Sequence, residues 1–255
     1  MKILIVSAHP EPKSLTNSLR DVAAEQLRSD GHEVQISDLY AMQWKAAHDA
    51  EDFTALDTSG PVSYPFASMA ASGDRAFSKD IIEEQDKVLW ADAVIFAFPL
   101  WWFSMPAIMK GWIDRVWTAG IGYQTGGERY GAGRMAGKRA MIMVMVGGGE
   151  SYFSARGVNG PIEDLLFPIN HGMLFYPGFD VLPSLVFHKT DRLRPEQFDA
   201  FAEQVRDRMR SLFTIAPIPY RRQAEDYTEL KFELKEEIAA TAPPGFAAHI
   251  DDSRT

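Results

Sequence analysis

Ala93-Val94-Ile95-Phe96-Ala97-Phe98-Pro99-Leu100-Trp101-Trp102-Phe103-Ser104-Met105-Pro106 is the stretch on which the fold turns. Its first part is apolar at every position. A short unbroken run of this kind reads as a strand buried on both faces, the condition of a parallel sheet covered by helices. After it comes a loop with three large aromatics, closed by Pro106 at the first turn of a helical pattern. Loops at the carboxyl ends of parallel strands are where ligands bind in such folds, so a flat apolar wall there suits an aromatic cofactor. A hydrophobic lid over the sheet end, or a dimer contact, is the competing explanation of the same residues.

Similar runs lie on either side. Lys2–Ser7, Glu33–Asp38, Arg139–Val146 and residues 180–187 read as four further strands. Leu15–Ser29, closed by Gly31, Lys79–Trp90 and residues 106–117 carry helical patterns between them, and another helix starts at Pro195, where Phe198, Phe201, Val205, Met209 and Leu212 recur at helical spacing. Strand and helix alternate, which predicts an α/β doubly wound parallel sheet with helices on both sides. Residues 49–77 and the polar tail after Pro217 exceed a minimal domain of this kind. The expected division is a main domain over residues 1–215 and an extension over residues 216–255 packed on that domain or on a dimer partner.

The chain has 255 residues, a formal charge of -9 and no cysteine. The charge gives no footprint for nucleic acid or an anionic membrane. Without cysteine there is no disulfide, thiolate nucleophile or Cys-ligated cluster, so any redox chemistry must be borrowed from a cofactor. No signal-peptide pattern or membrane-length apolar run is visible, which predicts a cytoplasmic protein without membrane insertion.

Two more loops come after strands. Ser7-Ala8-His9-Pro10-Glu11-Pro12-Lys13-Ser14-Leu15-Thr16-Asn17 leads from the first strand into a helix N-terminus, where unpaired N–H groups and the helix dipole favour an anion such as a phosphate. Ser14 or Thr16 could equally serve as a plain helix cap. Val146-Gly147-Gly148-Gly149-Glu150-Ser151-Tyr152-Phe153 ends the fourth strand, and its glycines let backbone amides approach a ligand ring or simply make a flexible loop. Competing motifs fail. No G-x-G-x-x-G comes after the first strand, and Gly131-Ala132-Gly133 lacks both the third glycine and a preceding strand. Residues 132–138 miss a P-loop at Ala132 and Arg139, and no G-x-S-x-G elbow occurs.

Taken together, these residues resemble the NAD(P)H:quinone oxidoreductase family, flavodoxin-like enzymes also called DT-diaphorase-like. The likeness runs through Ile5-Val6-Ser7-Ala8-His9, Ser37-Asp38-Leu39-Tyr40-Ala41-Met42, Asp80-Ile81-Ile82-Glu83-Glu84-Gln85, the aromatic stretch above, Pro106-Ala107-Ile108-Met109-Lys110-Gly111-Trp112 and Phe167-Pro168-Ile169. It implies a flavodoxin-like five-stranded sheet of order 2-1-3-4-5 with flavin at the switch point, the arrangement for which flavodoxin is the standard example.

The resemblance further implies that His9, Ser14, Leu15, Thr16 and Asn17 lie by the flavin diphosphate and ribityl. It places Pro99, Leu100, Trp101, Trp102, Phe103, Gly147 and Gly148 around the isoalloxazine, and Trp102 and Tyr123 in the substrate pocket, Tyr123 from across a homodimer interface. The family's Tyr and His that stabilise charge on the reduced flavin fall on Phe153 and Asn159, with Tyr152 as a neighbouring hydroxyl; these three are the candidate catalytic positions. Trp101 departs from the commoner Gln. A structural zinc site of some relatives has His171 but Phe175 in place of its second histidine, so no metal is expected.

The resemblance is greater to the family's longer members, through length and the insertion around Tyr64-Pro65, and so implies FAD over FMN, with NADH or NADPH as donor and a quinone as acceptor. Two-electron, ping-pong quinone reduction is the expected activity. The alternatives are a flavodoxin-type one-electron carrier and a regulatory flavoprotein subunit of a potassium-efflux system.

Overall fold

The computed structural model describes residues 1–124 and 127–254. In chain order the main elements are β1 (Lys2–Ser7), α1 (Leu15–Ser29), β2 (Glu33–Asp38), α2 (Tyr64–Asp74), α3 (Lys79–Trp90), β3 (Ala93–Pro99), α4 (Ala107–Val116), β4 (Arg139–Val146), α5 (Ile162–Phe167), β5 (Asp180–Val181), β6 (Leu185–His188) and α6 (Pro195–Arg210). All sheet pairings are parallel, in the order β2-β1-β3-β4-β5, with β6 also on β4.

Alternation of side chains builds two cores. Leu4, Val6, Val94, Phe96, Ile142 and Val144 meet Trp112, Ile81 and Val88 of α3 and α4 on one face. Ile3, Ile5, Ile95, Met141 and Met143 meet Leu19, Leu27, Val205 and Met209 of α1 and α6 on the other. Since both faces are covered, neither can tolerate polar positions, which is why the central strands read as continuous apolar runs.

Two boundaries differ from expectation. The helix predicted over residues 106–117 begins at Ala107, because Pro106 takes the N-cap position with ψ 147°, and it ends at Val116. The fifth strand, predicted as one run over residues 180–187, is two strands and makes the sheet six-stranded. The Leu182 N–H still donates to the Ala140 carbonyl at 2.8 Å, but Pro183 has no N–H to continue the ladder. Its carbonyl turns to the Arg208 guanidinium, and pairing resumes at Leu185 opposite Met143.

Buried polar groups tie the layers together. Glu84, 1 % exposed, accepts from Trp112 Nε1 at 2.8 Å and from Lys87 Nζ at 2.5 Å. Gln85 donates to Thr118 Oγ1 at 2.9 Å. The tail runs back over the domain. Tyr220 is buried, Phe246 stacks on Phe167 with centroids 4.3 Å apart, and Arg254 reaches Asp226 at 2.8 Å and Asp251 at 3.0 Å.

Candidate functional site

The carboxyl ends of β1, β3, β4 and β6 lie at one edge of the sheet. Ser7 is in register with Ala97, Pro99 with Met145, and Val146 with His188. The three loops singled out in the sequence therefore open side by side.

From β3 the chain makes an unusual turn. Leu100 N–H donates to the Met145 carbonyl at 2.9 Å, fixing the loop's root on β4. Trp101 and Ser104 then exchange backbone hydrogen bonds of 3.0 Å each, and the two residues between them, Trp102 and Phe103, have φ of 49° and 63°. Two left-handed central residues define a type I′ turn, which ordinarily takes Asn-Gly. Here it carries two aromatics, and Trp102 is 94 % exposed. Bulky side chains in this backbone region cost stability and persist where surroundings over-determine them.

After β1, the Ala8 N–H donates to the Ala97 carbonyl at 3.1 Å. His9 Nδ1 accepts from the Glu11 N–H at 3.1 Å, and its ring is 5.8 Å from that of Trp101. Burial holds this imidazole below the ordinary histidine value, against the opposing pull of Glu11. A neutral ring that accepts at Nδ1 carries its proton on Nε2, as a donor. Ser14 is the N-cap, its hydroxyl accepting from the Asn17 N–H at 3.2 Å. Asn17 is committed to the loop at both ends, donating to the Glu11 carbonyl at 3.0 Å and accepting from Arg20 at 3.2 Å. Helix geometry leaves the N–H groups of Leu15 and Thr16 without intrahelical acceptors.

The glycines after β4 make room for the chain itself. A Cβ on Gly147 would sit 2.5 Å from the Asp191 carboxylate, and one on Gly148 would meet the rings of Phe153 at 2.9 Å and Tyr152 at 3.2 Å. Phe153 is buried beside His188, centroids 5.7 Å apart, whereas Tyr152 is exposed. The Asn159 N–H donates to the Tyr152 carbonyl at 3.0 Å, which ties the two candidate polar residues into one loop. Tyr123 stands elsewhere, in a turn beyond α4 where its carbonyl accepts from the Gly120 N–H at 2.8 Å.

Sequence reasoning missed the contribution of β6. His188 Nδ1 is buried without a hydrogen-bond partner among the described residues, and Lys189, at φ 60°, donates its N–H to the Gly148 carbonyl at 3.0 Å. The strand-end rule that marked the other loops points here too, once the break at Pro183 shows where β6 ends.

A model of the flavodoxin-like fold family matches residues 1–212. The chain is similar to a ribosyldihydronicotinamide dehydrogenase-like protein of Penicillium crustosum, 48 % identical over 257 residues that cover 98 % of this chain and 95 % of that one. It is similar to NAD(P)H dehydrogenase (quinone) 1 of Cavia porcellus, 40 % identical over 188 residues that cover 73 % and 68 % of the two chains. A crystal structure from Klebsiella pneumoniae, described as a candidate quinone reductase, superposes with a TM-score of 0.93 at 49 % identity, covering 98 % of this chain and 100 % of the other.

Proposed function

Because the chain belongs to the flavodoxin-like fold family, we propose that it is a flavin-dependent oxidoreductase that reduces quinones by two electrons with NADH or NADPH. The observation that carries this reading is the strained turn that holds Trp102 and Phe103 outward, at the sheet edge where a helix N-terminus and a glycine loop also open. The relatives named as dehydrogenases, one of them of quinones, and as a quinone reductase support it.

The groups present fit a flavin. An exposed aromatic turn offers a flat wall for a tricyclic ring, the N–H groups of Leu15 and Thr16 face outward from a helix N-terminus that favours phosphate, and the cleft edge carries neutral donors. Pro99, Leu100 and Trp101 shape the ring's edge in this reading, with Gly147 and Gly148 opposite, and His9 and Ser14 beside the phosphates. When bound, the flavin supplies the redox chemistry, taking a hydride from the donor and passing two electrons to the quinone.

The chain's own residues bind, orient and stabilise charge. Trp102 and Phe103 exclude water from one side of the ring site. The Tyr152 hydroxyl and the Asn159 amide supply hydrogen bonds to negative charge at the opposite edge, which neutral donors stabilise without giving up a proton. Phe153 has no donor, so its part is to hold the glycine loop in place. Of the two hydrogens the hydroquinone gains in this scheme, one derives from the donor's hydride and the other is a proton from solvent.

FAD is proposed over FMN. The Tyr64 ring, exposed at the start of α2 and 4.9 Å from that of His48, offers a surface for an adenine belonging to a second chain. A homodimer with shared sites, in which Tyr123 joins the pocket of the partner, also accounts for the exposure of Trp102. A cytoplasmic location is part of the same reading; no described helix is long and apolar enough to cross a membrane.

A second donor is favoured by one observation. The chain spans 95 % of the Penicillium protein named for a ribosyldihydronicotinamide, but 68 % of the one named for NAD(P)H. Reduced nicotinamide riboside is therefore the donor to compare with NADH and NADPH.

The test is anaerobic spectrophotometry of the purified protein, with the released cofactor identified by mass. Bleaching of a flavin band in one two-electron step, restored by a quinone, is expected, and the best of the three donors gives the highest kcat/KM. Protein that takes up no flavin, or stops at a stable one-electron state, overturns the proposal. Asn159→Ala should keep flavin and slow its reduction about tenfold or more, the loss of one charge-stabilising hydrogen bond.

A further inference from the structure

The glycine loop after β4 has a charged neighbour with no part in the scheme above. β6 ends at His188, in register with Val146, so the next residue, Lys189, comes beside the glycines. Its N–H donates to the Gly148 carbonyl at 3.0 Å. Its side chain runs along the same loop, since a Cβ on Gly149 would lie 3.4 Å from Lys189 Cε. The ammonium, one bond beyond Cε, therefore stands next to Gly149.

Two features set this lysine apart. It adopts left-handed backbone, φ 60° and ψ 38°, a region that disfavours a side chain and ordinarily takes glycine or asparagine. Lys189 is also exposed, and its ammonium makes no hydrogen bond or ion pair among the described residues. Neither loop bracing nor charge pairing thus accounts for its head group. Of the side chains that Cβ atoms on Gly147, Gly148 and Gly149 would meet first, that of Lys189 is the one cation. The other charges around the loop are the Asp191 carboxylate, against Gly147, and the exposed Glu150 and Arg156 within the loop itself.

Hydride transfer from a dihydronicotinamide breaks one C–H bond, moves two electrons and the hydrogen to the flavin, and leaves the donor as a pyridinium cation. A neutral oxidised ring becomes an anion without taking up a proton. The Tyr152 hydroxyl and the Asn159 amide offer this charge only dipoles, whereas an ammonium attracts it in inverse proportion to distance.

We propose that Lys189 tunes the flavin: its ammonium, held at the glycine loop by the backbone bond to Gly148, stabilises the negative charge that hydride transfer places on the ring and so raises the two-electron potential. The inference rests on the flavin reading above and deepens it. Lys189 acts through space and donates no proton.

The test is anaerobic equilibration of the flavin-loaded, full-length protein with a reference dye. Lys189→Met keeps the length of the side chain and the backbone bond but removes the charge. At a fixed dye ratio its reduced-to-oxidised flavin ratio should fall about fivefold, a lowering of about 20 mV for a two-electron couple. Lys189→Arg should keep the parental value, and the gap between Lys189→Met and the parent should narrow at high salt, which screens an exposed charge. In stopped-flow traces Lys189→Met should be reduced more slowly by NADH while its reoxidation by quinone is not slowed, an asymmetry that a collapsed loop does not produce. Lys189→Gly relieves the left-handed backbone, so it should melt no lower than the parent although its potential falls as in Lys189→Met. An unchanged potential in both charge-free variants, or a potential that falls equally in Lys189→Arg, overturns the inference and leaves the proposed activity standing. A protein that takes up no flavin overturns both.

Discussion

Trp101 and Ser104 hold each other by two backbone hydrogen bonds of 3.0 Å, and so force Trp102 and Phe103 into left-handed backbone. The chain accepts that cost at a place where both rings stand in solvent, so packing inside the single chain does not explain it. Phe103→Gly relieves the backbone at one position. It should raise stability by on the order of 0.5–1 kcal/mol, the gain being reduced by glycine's larger unfolded-state entropy. The same change removes half of the aromatic wall, so flavin affinity should fall severalfold. Thermal melts and a flavin titration measure the two effects, and a variant that is both less stable and fully flavin-competent contradicts the account.

Asp52 is fully buried and accepts from Arg115 at 2.9 Å, from Lys45 at 3.2 Å and from His48 Nδ1 at 2.7 Å. Burial pushes its carboxyl up, but Arg115 and the other donors outweigh it and hold the group below the ordinary carboxylate range. Arg115→Met leaves this charge buried with fewer partners and should cost about 3–5 kcal/mol. A carboxylate with a lowered folded pKa stabilises above its unfolded value and loses that contribution as pH falls through the folded one. In Arg115→Met the acid-unfolding midpoint should therefore move to higher pH. Urea melts across acidic pH read both changes.

His171 lies in an aromatic column, 4.6 Å from Phe167 and 4.8 Å from Tyr130 by ring centroid. Burial, with His249 nearby, lowers its pKa to about 4. The unfolded chain takes up this proton near pH 6.5 and the folded chain does so near 4, so stability falls as pH drops through that window and levels below it. After allowance for the ring's partial exposure the loss is on the order of 2 kcal/mol. His171→Phe keeps a stackable ring without a proton to gain. Its stability between pH 6.5 and 4 should fall less steeply than that of the parent chain. Parallel slopes would remove His171 from the acid sensitivity.

Strands and crossovers were legible because burial on both faces demands apolar residues through the middle of β1, β3 and β4, with polar residues only at strand ends such as Lys2, Ser7 and Arg139. The block Asp80-Ile81-Ile82-Glu83-Glu84-Gln85 stood out for a reason sequence does not state. Glu84 and Gln85 are its buried polar positions, beside the buried Ile81, and bond from α3 to Trp112 of α4 and to Thr118 just beyond it. The break at Pro183 was visible as a residue but not as a consequence, since a proline interrupts a strand only where its missing N–H faces a partner. In the candidate site, the loops were found from strand ends. What each residue does there was less legible: Ser14 caps, Asn17 braces its own loop, and Gly147 clears space for Asp191, 44 positions away in the chain. Such roles depend on long-range neighbours, which local pattern does not contain.

The glycines of the β4 loop separate packing from function by what each would strike. A Cβ on Gly147 meets the Asp191 carboxylate at 2.5 Å, the movable end of an exposed side chain. A Cβ on Gly157 runs into the backbone carbonyl of Tyr152, meeting its oxygen and its carbon at once. That carbonyl accepts the Asn159 N–H, so it can yield only by shifting the loop that presents both polar candidates. Gly147→Ala should therefore fold with a loss of under about 1 kcal/mol as Asp191 swings aside. Gly157→Ala should retain the fold and most flavin binding, because the loop lies outside the sheet, yet lower the rate of flavin reduction at least tenfold by misplacing Tyr152 and Asn159. Stopped-flow reduction beside thermal melts compares the two. A Gly157→Ala protein that reduces its flavin at the parental rate would show that the Tyr152 to Asn159 loop does not stabilise the reacting charge.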